Sequence, residues 1–351
     1  MKIGKVSENV LKRSILRTIK TKRREVLNGA DVGADCAFFT SFSGEFPVIC
    51  MQEAPVTADA ERGNGDSGGD FMGAMSMAHL IQKCANNLAA GGALPVAVMI
   101  TLLLPERAEE PFVRKLMEEA ELACGSLEME IAGGQTRVCR EVKVPYAVVT
   151  GFGKSRTGGL RGCAPGQDIV VSKWVGLEGT AFLARYYHDE LLQRYPGYFV
   201  EEAARFDRFY SILPEAATAV KSGVCAMHDA SEGGIFGALW ELAEGAGVGL
   251  TIDLRKLPLR QETVEICEYC GLNPYELLSG GCLVMACEDG RRLAEALEGE
   301  GIPAAIVGKT TDSNDRIIRN AEEIRFMNRP QGDEIYKIAV PEIAGAERSG
   351  K

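Results

Sequence analysis

Short apolar runs alternate with amphipathic stretches in the first half of the chain. Apolar residues recur at helical spacing in Phe71–Leu88 and Glu109–Cys124, which predicts helices there. Strands are predicted at Phe46–Met51, Pro95–Leu104, Glu128–Ala132 and Val144–Phe152. The longest strongly apolar run, Leu94–Leu104, is too short to cross a bilayer and therefore predicts a buried strand.

The pattern restarts after a stretch at 154–166 that is rich in glycine and polar residues. Beyond it, strands are predicted at Gln167–Val171, Gly249–Ile252, Cys282–Ala286 and Ala304–Val307, and helices at Gly233–Glu244 and Arg291–Leu297. A helix is predicted to start near Gly179, followed by a long helical stretch through Val220. We therefore expect two halves of α/β or α+β architecture: one domain at 1–157, a second at 158–330, and a tail at 331–351.

Charge is unevenly distributed over the 351 residues, whose formal net charge is −10. Residues 1–24 hold nine Lys or Arg and a single acid, Glu8, so the rest of the chain is strongly acidic. An acidic body argues against nucleic acid as a partner. The basic segment is predicted as an amphipathic helix. We favour packing on its own domain with solvated cations, over contact with a phosphate ligand or an acidic neighbour.

Targeting signals and the cysteine pattern indicate in which compartment the protein is expected and in which redox state its thiols are expected. The chain shows neither a membrane span nor an apolar signal core, so we expect a cytoplasmic protein with no membrane partner. Its 11 Cys, an odd number, are scattered through apolar runs, as is typical of reduced thiols in a core. Cys267 and Cys270 form one C-x-x-C, for which we favour core-facing thiols over zinc ligands. The loop at 62–70 either covers a bound phosphate or serves as a linker.

Four glycine-rich segments lie beside predicted strands, at Gly33–Ala37, Asn86–Pro95, Ala132–Thr136 and His228–Gly234. Glycines at strand–helix turns let backbone N–H groups point at an anion, and a following helix adds its positive end. Carboxylates and amides beside such turns are oxygen ligands of the kind that Mg²⁺ uses. Each segment taken singly is more simply a tight turn.

Taken together and in this order, the segments resemble the ATP-binding superfamily of aminoimidazole ribonucleotide (AIR) synthetase. That superfamily includes thiamine-monophosphate kinase, selenophosphate synthetase and the HypE-type hydrogenase maturation protein. GADCAFF resembles its GDDA turn, CANNLAAGGALP its N-D segment, AGGQT its GGDT or GGET, and MHDASEGG its HDxSDGG. The resemblance covers roughly 30–312, and VEICEYCGLNPYELLSGGCLVMA with IVGKTTD is closest to the HypE-type branch.

The resemblance implies a two-domain fold and an ATP-dependent activity. The N-terminal PurM-like domain would pair with a second copy to close a barrel, in a homodimer, and a PurM-like α/β domain would follow. ATP would lie in a groove with Mg²⁺ held by acidic residues. The family's members phosphorylate or dehydrate an oxygen of a small molecule, chemistry in which positioning and charge neutralisation matter more than a nucleophile.

Site residues are carried over by position in the motifs. Asp35, Glu53, Asn87 and Gln135 are implied as metal ligands, and Asp229 and Glu53 as catalytic residues. The implied nucleotide-binding residues are Gly33, Asp35, Asn87, Gly91, Gly133, Gly134, Gln135, Thr136, His228, Ser231 and Gly233.

Three of these positions depart from the family pattern. Ala34, Asn87 and Gln135 stand where the family has acids, so the metal shell lacks three negative charges. Each lost anion should weaken binding of a divalent ion by on the order of 1 kcal/mol or more. Either the nucleotide supplies more of the coordination or the ion is not bound. The HypE-type terminal Cys is also missing from the last residues, 346–351, so we do not expect that tail chemistry.

Three functional hypotheses follow. We favour an ATP-dependent enzyme that activates a small-molecule substrate and retains Asp35, Glu53 and Asp229 for the task. The alternative is a catalytically reduced, nucleotide-binding homodimer that acts as an assembly or maturation partner of another protein. A metal or redox protein built on the Cys pairs is the third.

Overall fold

The structure is a computed structural model that describes residues 8–10, 12–13, 16, 24, 26–28, 31–40, 44–57, 74–160 and 162–338. The loop at 62–70 and most of the basic segment lie outside the described residues. Among the helices described, none combines the length and the apolar character that a membrane span requires.

The first half forms a six-stranded sheet in the order β1-β2-β3-β6-β4-β5. Its strands are β1 (Val26–Asn28), β2 (Ala37–Phe39), β3 (Phe46–Pro55), β4 (Leu94–Leu104), β5 (Glu130–Val138) and β6 (Tyr146–Ser155). Neighbouring strands are antiparallel, except for the parallel pair β4 and β5. A short helix, α1 (Glu8–Val10), precedes the sheet, and α2 (Met77–Ala90) and α3 (Glu110–Ser126) pack on one of its faces.

Helix α2 forms because its apolar residues recur at helical spacing and its start is capped. The Ser76 side chain accepts a hydrogen bond of 3.1 Å from the His79 N–H, which satisfies one of the free donors at the helix start. Met77, Leu80 and Ile81 are fully buried against the sheet. The predicted helix at Phe71–Leu88 is thus confirmed in its main part. In the structure the helix begins at Met77.

The opposite face of this sheet has no helix over it in the described part of the chain. Side chains alternate between the two faces of a strand, and a bulge between Pro95 and Ala97 shifts this alternation in β4, so Met51, Leu94, Val96 and Met99 all point outward. Leu94 is 62% exposed and Met51 is 59% exposed. The prediction of a buried strand at Leu94–Leu104 is therefore confirmed for one face and wrong for the other. We call this surface the outward face.

The second half forms a seven-stranded sheet in the order β13-β12-β9-β11-β7-β10-β8. Its strands are β7 (Asp168–Ser172), β8 (Ala226–Ala230), β9 (Gly249–Asp253), β10 (Cys282–Cys287), β11 (Ala304–Thr311), β12 (Arg316–Asn320) and β13 (Glu323–Phe326). The helices are α4 (Leu177–Tyr186), α5 (His188–Leu192), α6 (Gly197–Ala204), α7 (Leu213–Lys221), α8 (Gly234–Ala246), α9 (Gln261–Cys270) and α10 (Gly290–Gly299). Helix α8 packs on one face of the sheet, and α7 and α10 pack on the other.

The helix predicted to start near Gly179 is confirmed as α4, but the long helical stretch predicted to follow it through Val220 is wrong. After α4 the chain instead forms α5, α6, a 3₁₀ turn at Phe206–Phe209 and α7. Prolines explain two of the breaks, because Pro196 stands immediately before α6 and Pro214 occupies the first turn of α7.

The glycine pair at Gly133 and Gly134 lies inside β5 rather than in the predicted turn. The pairing of β5 with β4 shifts register at Met99, so the glycines sit at a bulge. Gly134 has φ +154°, and a Cβ there would lie 1.9 Å from the Ile100 carbonyl oxygen. Glycine is needed here because the two strands approach closely. In the sequence, a glycine pair at such a bulge cannot be distinguished from one in a turn.

Helix α2 joins the two halves through buried polar contacts. The Asn86 side chain donates to the Tyr210 carbonyl at 2.7 Å and accepts from the Ile212 N–H at 3.1 Å. Since Asn86 is 1% exposed, these bonds replace the water that its amide loses on burial. The helix that carries Asn87 is therefore fixed against the second half.

The described residues of the basic segment also pack on the second half. The Trp240 indole donates to the Glu8 carboxylate at 2.9 Å, and Lys12 contacts Glu244 of α8. The favoured prediction, packing on its own domain, is therefore wrong for these residues, because acidic and aromatic partners on α8 bind them instead. For Lys12 the alternative of an acidic neighbour is confirmed.

Candidate functional site

Strand β8 delivers two ionisable side chains to the boundary between the halves. His228 and Asp229 are adjacent in the strand, so they point to opposite faces of the sheet. Both are 3% exposed. The turn that follows ends at Gly233, with φ +86°, where α8 begins. A Cβ on Gly234 would lie 2.6 Å from the Tyr275 carbonyl oxygen, so the turn fits only glycine there.

His228 lies between two carboxylates on the α8 side. Its Nδ1 is 2.7 Å from Asp35 Oδ2, and its Nε2 is 2.9 Å from Glu241 Oε2. Burial alone would lower the pKa of His228, but the charges of Asp35 and Glu241 outweigh it and raise the pKa to about 10. The imidazole is therefore a cation at neutral pH that ties Asp35 of the first half to the second.

Gly33 brings Asp35 to this position. Its backbone has φ +72°, and a Cβ there would lie 2.4 Å from the Glu241 carbonyl oxygen. The turn of the first half thus rests directly on the backbone of α8. This contact explains why the GADC segment needs glycine at its first position.

A cavity of about 470 Å³ opens beside this pair, lined by residues of both halves. Asp31, Asp35, His228 and Glu241 contribute its charged groups, and no Lys or Arg lines it in the described part of the chain. A cavity lined by carboxylates is better suited to a hydrogen-bond donor, such as an amide, amine or sugar hydroxyl, than to a bare phosphate.

Asp229 faces the other way, toward α2. Its Oδ1 atom is buried without a hydrogen-bond partner. Burial raises the pKa of Asp229 to about 7, and the negative charges of Asp35 and Glu178 add to that rise, while Lys83 opposes it. A carboxyl with a spare oxygen and a pKa near neutrality can accept or release a proton at physiological pH.

Lys83 of α2 is buried beside Asp229 in an acidic cluster. Its Nζ lies 3.0 and 3.1 Å from the two carboxylate oxygens of Glu178, and His79 Nε2 is 2.8 Å from the same carboxylate. Burial would lower the pKa of Lys83, yet Glu178 and Asp229 raise it. Burial would raise the pKa of Glu178, but Lys83 and His79 lower it. Lys83 and Glu178 therefore form a buried ion pair across the two halves.

The segment after β13 closes the turn that follows Asp229. The Asp333 carboxylate accepts from the Gly233 N–H at 2.7 Å, the Ile335 N–H at 2.9 Å and the Leu278 N–H at 3.2 Å. Burial raises the pKa of Asp333 to about 7. Residues 333–338, part of the predicted tail, are thus packed against the site.

Two of the predicted metal ligands, Glu53 and Gln135, lie away from Asp35 within one chain, whereas Asn87 contacts Cys36, the residue next to Asp35. Glu53 is on the outward face, where its carboxylate accepts from the Tyr146 hydroxyl. Gln135 shares that face, in the same cross-strand row but three strands along, about 14 Å away at strand spacing. Asn87 is 9% exposed on α2, which packs on the opposite face.

The described residues of a single chain do not fit a Mg²⁺ site. They contain no group of three or more His, Cys, Asp or Glu side chains arranged to hold a metal ion. Asp35 is already paired with His228. The metal assignment for Asp35, Glu53, Asn87 and Gln135 therefore stays a prediction.

The remaining predicted nucleotide-binding residues divide into two places. Gly133, Gly134 and Thr136 lie on the edge strand β5, four strands from β2 and so about 19 Å from it. Ser231 lies in the turn after Asp229, where its carbonyl accepts from the Gly234 N–H at 3.1 Å. Gly91 follows α2 and contacts the Cys36 thiol region, so it lies near Asp35.

The C-x-x-C pair lies on α9, as expected for a helix. Cys267 is 1% exposed and packs in a cluster with Leu183, Ile266 and Leu277, which agrees with a core role. Burial raises the pKa of Cys267 and of Cys270, the latter to about 11. Both are therefore thiols that do not ionise at neutral pH.

Sequence reasoning missed Lys83, Glu178 and Asp333. A lysine within the apolar run LIQKCANNLAA is a signal, because a buried lysine needs an acidic partner. Its partner, 95 positions away, cannot be read from the sequence. His79, which lies outside the sequence motifs, is also a bonded member of this cluster.

Comparison with known proteins identifies the family to which the chain belongs. The chain matches the family model "AIR synthase related protein, C-terminal domain" at residues 164–319 and "AIR synthase related protein, N-terminal domain" at 75–155. A Methanocaldococcus jannaschii protein named for hydrogenase expression/formation is 30% identical over 267 residues, 74% of this chain and 77% of that protein. A carbamoyl dehydratase HypE of Rhodobacter capsulatus is 27% identical, over 73% of this chain and 74% of the relative.

Solved structures share the fold. The HypE–HypF complex gives a TM-score of 0.66 at 20% identity, covering 85% of this chain and 94% of the other. The hydrogenase maturation protein HypE in complex with ATP gives a TM-score of 0.66 at 16% identity, covering 93% and 95%. The two-domain fold expected from the motifs is thereby confirmed, and the chain belongs to the AIR synthase-related family.

Proposed function

We propose that this protein binds ATP and uses it to activate an oxygen of a small molecule, by phosphorylation or dehydration. The observation that carries the proposal is Asp229, a buried carboxyl with an unpartnered oxygen and a pKa of about 7 at the boundary between the halves. The name of one relative, carbamoyl dehydratase, supports a dehydration.

Asp229 would act as the acid–base group. When an amide oxygen takes a phosphoryl group, a proton must leave the amide nitrogen, and a base with a pKa near the working pH is well matched to receive it. The Lys83 cation, held by Glu178, offsets negative charge beside Asp229. The cavity at Asp35 and Glu241 is lined by carboxylates that accept hydrogen bonds, so it suits the amide or amine end of such a substrate. No step is assigned to Mg²⁺.

We further infer that the protein works as a homodimer. The outward face exposes Met51, Leu94, Val96 and Met99, and a second copy laid on it would bury them. It would also bring a second Glu53 and a second Gln135 onto the same face. The substitution Met99→Glu should shift the protein toward monomer in analytical ultracentrifugation, whereas Leu122→Glu, at an equally apolar but isolated exposed site on α3, should not.

The function is tested with the full chain by calorimetry and phosphate release. ATP binding is measured with and without Mg²⁺, and phosphate release is followed with small carboxylates, amides and carbamoyl compounds. Asp229→Asn should keep ATP affinity within a few-fold and lose phosphate release by on the order of 100-fold or more. The matched control is Asp312→Asn, at an exposed position, which should behave like the wild type.

Two outcomes oppose the proposal. Absence of ATP binding under both conditions would exclude it. Binding without phosphate release for any substrate, unchanged by Asp229→Asn, would favour the nucleotide-binding assembly partner instead. A solved structure with this fold is a HypE–HypF complex, and its likeness to this chain is one of fold alone.

A further inference from the structure

Three buried thiols meet beneath the candidate site. Cys50 on β3 and Cys84 on α2 have their Sγ atoms 3.5 Å apart. Cys36, just before β2, is buried in the same core cluster as Cys50 and Cys84. We call these three residues the thiol cluster. They come from three separate elements of the first half, so the fold alone assembles them.

Close packing fixes the thiol cluster in place. A Cβ on Gly151 of β6 would lie 2.5 Å from Cys84 Sγ and 3.2 Å from Cys50 Sγ. Cys84 is 0% and Cys50 is 5% exposed. With so little space around them, neither sulfur can turn away from the other without displacing its neighbours.

The thiol cluster is connected to the site by direct contacts. The Cys36 thiol donates to the Asn87 carbonyl at 2.9 Å, and Cys36 lines the cavity beside Asp35. Cys84 follows Lys83 on α2. A small oxidant that enters the cavity therefore reaches the edge of the cluster.

Hydrogen bonds among the thiols favour one thiolate. Those from Cys36 and Cys84 lower the pKa of Cys50 below its ordinary value, although burial opposes them. By contrast, burial raises the pKa of Cys124, a buried thiol on α3, to about 11. The thiolate is the nucleophilic form, so the clustered sulfur is the reactive one.

We propose that Cys50 and Cys84 are a reversible disulfide site, oxidised by peroxides. The Cys50 sulfur attacks one oxygen of hydrogen peroxide, the O–O bond breaks, and a sulfenic acid and hydroxide form. The Cys84 sulfur then attacks the Cys50 sulfur and displaces its oxygen as water once protons are taken up. In total two thiols lose two electrons and two protons, and peroxide becomes two waters.

The bond requires little movement and has a consequence for the site. The two sulfurs must approach from 3.5 Å to about 2.05 Å. The disulfide ties α2, which carries Lys83 and Asn87, to β3. The proposal stands independently of ATP-dependent activity.

The test uses the full chain treated with a small excess of hydrogen peroxide, alkylated in denaturant and digested with trypsin. The sequence places Cys36 and Cys50 in one tryptic peptide, 25–62, and Cys84 in another, 84–107. Mass spectrometry should find the two joined through Cys50, with Cys36 alkylated, for most of the protein. Dithiothreitol added before alkylation should abolish the link.

Variants sharpen the result. Cys50→Ser and Cys84→Ser should each prevent the link, whereas Cys282→Ser, at a buried thiol on β10 of the second half, should leave it intact. The proposal is overturned if the wild-type digest contains no joined peptide, if Cys36 rather than Cys50 is joined, or if only sulfinic or sulfonic acid forms. The wild-type digest decides even if a variant does not fold.

Discussion

His228 and Asp229 are neighbours on one strand, equally buried, and yet they have opposite surroundings. His228 has a carboxylate beside each ring nitrogen: Nε2 is hydrogen-bonded to Glu241 at 2.9 Å, and Nδ1 is 2.7 Å from Asp35 in an ion pair without hydrogen-bond geometry. Asp229 has a buried oxygen with no hydrogen-bond partner. The alternation of a β-strand puts one on the α8 side and the other on the α2 side.

The comparison separates a structural role from a chemical one. Charges around His228 stabilise the form it holds at neutral pH, so we expect it to fix Asp35 in place. The surroundings of Asp229 raise its pKa to about 7 and leave an oxygen free, which costs stability and favours proton transfer. Perturbed groups of the second kind are the ones expected to react.

The largest expected effect is the replacement Asp229→Asn, which should lower turnover by on the order of 100-fold or more. The same replacement should, by contrast, increase the free energy of unfolding relative to the wild type at neutral pH. The folded pKa of about 7 lies above the ordinary value of 3.8, so the folded state keeps a proton that the unfolded state has lost between about pH 4 and 7. Wild-type stability from this group therefore falls as pH rises through that window.

Asparagine does not ionise, so the free energy of unfolding of Asp229→Asn should rise relative to that of the wild type over the same pH window, by up to a few kcal/mol near pH 8. Urea unfolding at pH 4 and pH 8 measures this. A variant that is destabilised more at pH 8 than at pH 4 would show that Asp229 is a stabilising carboxylate, as His228's partners are.

The replacement His228→Ala should give the next largest effect, a loss of about 3 kcal/mol in the free energy of unfolding near pH 7. It removes the cation between Asp35 and Glu241. Since the folded pKa of His228 is raised, its contribution is present below pH 6.5 and is lost as pH rises through about 10. The cost should therefore shrink in urea unfolding above pH 10; an equal cost at every pH would indicate lost packing alone.

Gly33→Ala should cost more than an ordinary left-handed glycine. The matched control is Gly223→Ala, with φ +81° and open space around its Cβ position. The control should lose about 1 kcal/mol from backbone strain. Gly33→Ala should lose about 1–3 kcal/mol more, because the Cβ meets the Glu241 carbonyl oxygen at 2.4 Å. Equal losses in urea unfolding would contradict the close contact.

Glu241→Gln should have the smallest effect. Asp35 still faces the other nitrogen of His228, so the pKa of His228 should fall from about 10 but stay above 6.5. The side chain of Glu241 is 23% exposed, and the loss of stability should be about 1 kcal/mol or less. An NMR titration of the His228 ring follows the first quantity, and urea unfolding follows the second.

The sequence allowed the fold and the Asp229 turn to be predicted, because ordered motifs and apolar periodicity are local signals. It failed where local signals are ambiguous. Gly133 and Gly134 suggested a turn, but they sit in a strand bulge, and both uses require glycine for the same steric reason. Lys83 was passed over because its partner Glu178 is distant in sequence and meets it only when the halves pack.

The most direct test of the central claim is the titration of the Asp229 carboxyl itself. Carbon-13 NMR of protein labelled at Asp carboxyl carbons, with the signal assigned by its loss in Asp229→Asn, follows it from pH 3 to 9. The account predicts a midpoint near pH 7. A midpoint at or below the ordinary value of 3.8 would mean a stably charged carboxylate and would contradict Asp229 as the proton-transfer group.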